Sequence, residues 1–169
     1  MTVPSFRLAL DAGQAGSAPQ FRDIADIQSD KLKQIHAYWS GLRAGERLPK
    51  RSDLDIDQIG YVLPNLNLVD VHRDPLDFRM RLHSVRGSDY VGADITGKSI
   101  RDYPDEGYAA FVWAVYEAAV NTRDAKVVSE RLFMTDHRIM RWEGVVMPLD
   151  DKSGHVGMLL IAFQLFDRA

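Results

Sequence analysis

The run at residues 155–166, HVGMLLIAFQLF, constrains this chain more than any other. Met158, Leu160 and Ala162 alternate with Leu159, Ile161 and Phe163, so a strand here is apolar on both faces. An antiparallel sheet with one wet face alternates apolar with polar residues. This strand is therefore central, and both of its faces need a cover. Helices from the connecting segments supply one cover. An N-terminal helix or a second copy of the chain must supply the other.

The remaining periodicities give the order of elements. A strand at 66–72 is followed, after Arg73-Asp74-Pro75, by a second beginning at Asp77, where Phe78, Met80 and Leu82 alternate with Arg79, Arg81 and His83. Residues 84–91 suit a short helix closed by Gly92. Asp94 and Thr96 can bond nearby backbone N–H groups, and Gly97 can take a positive φ, which predicts a compact turn. The longest helix is expected at 107–121, with Tyr108, Phe111, Val112, Val115 and Ala119 as its stripe. Strands at 126–134, 139–149 and 155–166 close the chain. Two strands, a helical crossover and three meandering strands make an α+β fold on a five-stranded antiparallel sheet. A Rossmann fold is excluded, because strands and helices do not alternate and no G-x-G-x-x-G opens a helix.

Ahead of this domain (48–169), residues 1–20 are rich in Gly, Ala, Ser and Pro and read as a mobile lead segment. Residues 21–47 read as an amphipathic helix with its stripe at Ile24, Ile27, Leu32, Ile35, Trp39 and Leu42. That stripe is expected either on the chain's own sheet or as a homodimer or partner interface.

A strand D-F-R-x-R-L, a Gly-Ser pair, then G-x-D-x-T-G resembles the PAS domain, in particular small bacterial proteins built from a single such domain. Leu48-Pro49-Lys50-Arg51-Ser52-Asp53-Leu54-Asp55 and Leu63-Pro64-Asn65-Leu66 resemble that group's lead-in. Trp142 and Val146-Met147-Pro148-Leu149 resemble its closing hairpin. The resemblance implies a cavity between sheet and crossover. The expected lining is Met80, Leu82, His83, Tyr90, Phe111, Val115, Trp142 and Met158. It also implies that a haem-binding relative would hold iron with a histidine on the long helix, and 107–121 contains none.

Composition removes several function classes. A net charge of −3 argues against a nucleic-acid partner. The absence of cysteine excludes disulfides, thiolate metal sites and flavin–cysteinyl photochemistry. No apolar run approaches the ~20 residues that span a bilayer, and a signal peptide is not expected, so the reading is cytoplasmic. His36, His72, His83, His137 and His155 have no metal-ligand spacing. Asp150 and Asp151 read as turn residues, and Asp53 and Asp55 as helix caps. The row Arg79, Arg81 and His83 reads either as an anion site or as a polar face paired with Glu130 or Glu143.

No catalytic or metal site is assigned, and no cofactor is identified. The expectation is a stand-alone sensory or interaction module. It would act in trans, with a small-molecule ligand, a homodimer, or a signalling partner such as a histidine kinase. The alternatives are a ligand-free adaptor, or an α+β enzyme whose first residues to test are Asp70 and Asp89.

Overall fold

The computed structural model describes residues 6–9, 19–134 and 136–167. Five strands form at the expected places: β2 (Leu66–His72), β3 (Asp77–Leu82), β4 (Lys126–Met134), β5 (Ile139–Asp150) and β6 (Val156–Asp167). β1 (Phe6–Ala9) adds a sixth at the edge, antiparallel to β4, giving the order β1-β4-β5-β6-β2-β3. This strand falls inside the segment expected to be a mobile lead; residues 1–5 and 10–18 of that segment lie outside the described residues.

The crossover holds α3 (Val85–Val91) and α4 (Glu106–Thr122). Ser84 caps α3 by accepting from the Gly87 N–H, and Gly92 ends it at φ 79°. Asp94 Oδ1 accepts from both the N–H and the hydroxyl of Thr96, and Gly97 stands at φ 81°, so the expected turn is present. Asp105 caps α4 through the Tyr108 N–H.

The predicted N-terminal helix is shorter than its pattern. A single 3-10 turn at Ile24–Asp26 is followed by extended backbone, and α1 proper is Asp30–Leu42, capped by Ser29. A four-residue α2 (Ile56–Ile59) capped by Asp55 completes the α-helices among the described residues.

The sheet is covered on both faces within one chain. α3 and α4 cover the inner face, where Phe78 meets Trp113 and Tyr116 edge-on at 4.8 and 5.6 Å. α1 lies on the outer face, with Leu32, Ile35 and Trp39 buried and the Trp39 indole donating to the Pro148 carbonyl at 2.9 Å. This corrects one arm of the interface expectation. Ile27, Leu32, Ile35 and Trp39 are core residues of their own subunit, while Ile24 and Leu42 are partly buried beside them, so the stripe is not free for a partner.

Candidate functional site

The site begins with an irregularity in β3. Val69 pairs with Met80 but Leu68 pairs with Leu82, so Arg81 is an extra residue, a bulge. A one-residue slip exchanges the faces of everything beyond it. Leu82, expected to line a cavity, therefore turns outward and is 45% exposed. His83, expected on the polar row, turns inward and is buried.

Between the inner face and the crossover helices lies a cavity of about 30 Å³. Of the expected lining, His83, Tyr90, Phe111, Val115 and Trp142 are present. Met80, Leu82 and Met158 are not. Met80 is packed in the core. Met158 pairs with Asp70 and shares the outward register of Leu160 and Ala162. The residues missed from sequence include Asn67 on β2, the tyrosines Tyr103, Tyr108 and Tyr116, and Ile161, Phe163 and Leu165 on β6. The alternation of β6 offers this last set as one of two faces. Of the tyrosines only Tyr108 was legible, and only as part of a helix stripe.

Rings meet edge-on along the wall: His83 with Tyr103 at 6.0 Å, Tyr103 with Tyr108 at 5.0 Å, and Tyr108 and Phe111 with Trp142 at 6.3 Å each. Burial pushes the phenols of Tyr103 and Tyr116 well above the ordinary tyrosine value, reinforced by their phenolic neighbours, and burial raises Tyr108 as well. All three remain neutral. No lysine, arginine, aspartate or glutamate is among the lining residues.

His83 is the best-defined polar group. Its Nδ1 accepts from the Ile95 N–H at 3.3 Å, which leaves the proton of the neutral ring on Nε2. Burial lowers its pKa below 6.5, against an opposing pull from Asp94, whose carboxylate stands 3.7 Å from Nδ1. Nε2 has no hydrogen-bond partner among the described residues. Asn67 Oδ1 holds the Ser84 N–H at 2.9 Å and so ties the start of α3 to β2.

On the opposite face, the residue after Trp142 is Glu143, with no solvent exposure. Its carboxylate accepts from the Gln28 N–H at 2.8 Å and the Ser29 N–H at 2.9 Å, and Arg141 stands 3.5 Å away. Ser29 also donates to Gln164, the cross-strand partner of Glu143. A buried carboxylate at the positive end of α1 thus holds the N–H of the N-cap and of the residue before it. The cross-strand pairing of Glu143 with the arginine row is thus corrected: Arg81 pairs with Asp70 at 2.9 Å and Arg79 with Asp77 at 3.2 Å.

Asp151 organises its turn as expected, accepting from Ser153 and His155. Asp150 does not: it is buried and ion-paired with Arg123 at 2.9 Å. Asp53 and Asp55 act as caps. Among the described residues no group of three or more His, Cys, Asp or Glu is arranged to hold a metal, and no helix is long and apolar enough to cross a membrane.

An antiparallel sheet, a helical crossover and an aromatic-walled cavity between them define an α+β module of the sensory-domain class. The chain belongs to the PAS domain family, whose sequence profile matches residues 27–162. Similar solved structures include a light-oxygen-voltage domain studied with a flavin analogue (14% identity, 67% of this chain and 84% of that one, TM-score 0.48). Others are a LOV protein of Rhodobacter sphaeroides (14%, 85% and 70%, 0.47) and a sensory box sensor histidine kinase of Vibrio cholerae (16%, 70% and 94%, 0.46). Among curated proteins no sequence matches the chain.

Proposed function

We propose that this chain is a sensory and interaction module of bacterial signalling, acting in trans. Occupancy of its cavity by a small molecule is reported through α1. The observation that carries this reading is the back-to-back placement of Trp142 and Glu143 on β5. Trp142 forms part of the cavity wall, and on the other face Glu143 holds Gln28 and Ser29, the two residues that lead into α1. A ligand that favours one position of Trp142 thereby biases the attachment of α1, a two-state element of the kind that switches use. No catalytic role is proposed. A homodimer, or a signalling partner such as a histidine kinase, would read α1 or the surfaces around it.

The test is to denature the purified protein, search for a released small molecule by mass spectrometry, and compare amide exchange at residues 28–32 with and without it. A stoichiometric molecule whose removal changes that exchange supports the reading. The second reading, a ligand-free adaptor, is favoured by the size of the cavity, about 30 Å³, against the ~300–1,000 Å³ of ordinary ligand sites. Protein that holds nothing, with unchanged exchange, would favour the adaptor.

A further inference from the structure

We infer that the cavity selects a small, uncharged molecule carrying a hydrogen-bond acceptor, a ketone, ester or amide carbonyl, that receives the Nε2 proton of His83. This inference rests on the ligand-binding reading above and adds the chemistry of the ligand.

Three independent features converge on it. The Ile95 N–H occupies Nδ1, so the ring presents a donor, and not an acceptor, at Nε2. That donor is buried, with the side chain 1% exposed, and has no partner among the described residues. An unmet buried donor carries a desolvation penalty that an incoming acceptor removes. Space beside it is kept by Gly87, where a Cβ would stand 3.1 Å from Nε2.

Charge decides the rest. The lining has no cationic side chain to meet a carboxylate or phosphate and no anionic one to meet an amine. A charged ligand would enter the cavity unpaired, which is far more costly than burying a carbonyl on a donor. The charged groups nearest His83 do not change this. Asp94 lies on the Nδ1 side, exposed, and Tyr103, which faces the ring, and Tyr108 behind it are neutral. A cavity of about 30 Å³ bounded by aromatic rings excludes flavin and haem, and a compact molecule larger than water enters only as the aromatic wall moves outward.

The test titrates the full chain with three probes of similar size: cyclopentanone, its hydrocarbon counterpart methylenecyclopentane, and the anion isobutyrate. Binding is followed by ligand-observed NMR, and the imidazole nitrogens by ¹⁵N spectra. Cyclopentanone is expected to bind about tenfold more tightly than methylenecyclopentane and to shift the His83 Nε2–H resonance. His83→Leu should reverse the preference in favour of the hydrocarbon, because the ketone then gives up its bonds to water with no donor to replace them. The ¹⁵N readout on the unmodified protein keeps the test decisive if that variant fails to fold. Equal affinity for the two neutral probes with an unmoved His83 resonance overturns the ligand class but leaves a ligand-binding cavity. A preference for isobutyrate overturns it too. Exclusion of all three overturns both this inference and the sensory reading.

Discussion

Single residues set the geometry of the cavity wall, and Gly144 shows how tightly. A Cβ at that position would stand 2.9 Å from the Trp142 indole, so the ring lies across the bare backbone of its neighbour two residues on. Gly144→Ala must push the ring away, and overpacking of this kind costs about 1–3 kcal/mol. The expected outcome is a lower urea midpoint with a changed near-ultraviolet aromatic signal. Gly41 is the contrast: it sits inside α1, and a Cβ added there would meet nothing within 4 Å. Gly41→Ala should raise stability by about 0.5–1 kcal/mol. His83 adds a pH dependence. Its folded pKa lies below the ordinary 6.5 because of burial, so the unfolded chain takes up the proton first. Stability is then full above 6.5 and falls as pH drops through that value toward the folded pKa. His36 shifts the same way through burial, opposed by Asp124 and Asp23. Urea midpoints measured from neutral pH downward should fall, and His83→Leu should flatten part of that slope.

At the scale of elements, what the sequence reveals and what it hides divide along local and long-range contacts. Strands β2 and β4 match the residue pattern, as do the cap Gly92 and the Asp94 turn, because these depend on periodicity and on bonds spanning two to four residues. The bulge at Arg81 leaves no such mark. Alternation runs unbroken through Phe78, Met80 and Leu82, and only pairing with β2 shows that the last of them has changed face. The fate of Glu143 is equally hidden, since its partners lie 114 and 115 residues earlier. Glu143→Ala should cost about 2–4 kcal/mol, because two N–H groups lose a charged acceptor inside the protein. The loss should be local first. Amide exchange is expected to quicken at Gln28, Ser29 and the first turn of α1 before it does so in β5. Uniform acceleration across the whole chain would show instead that the carboxylate supports the sheet and not the helix attachment.

For the whole molecule, the decisive fact is that the doubly apolar strand β6 finds both covers in one chain. Leu159, Ile161 and Phe163 face the crossover, while Leu160 and Ala162 share the outer face with the buried stripe of α1. A second subunit is therefore not needed to complete the core. Apolar surface remains elsewhere, with Val85 75% exposed and Leu82 and Phe133 near 45%. Folding that depended on a partner would tie stability to protein concentration through mass action. The unfolding midpoint of this chain is expected to stay constant across a hundredfold dilution, roughly the range over which a coupled dimer would shift by about 2.7 kcal/mol. Leu32→Asp, placed in the α1 stripe, should abolish cooperative unfolding at every concentration, because a charge there is buried against the chain's own sheet. Val85→Asp, on the exposed face of α3, should leave the midpoint within about 0.5 kcal/mol. A midpoint that climbed with concentration, or a Leu32→Asp protein that stayed folded as a monomer, would return α1 to the role of a shared element between two subunits.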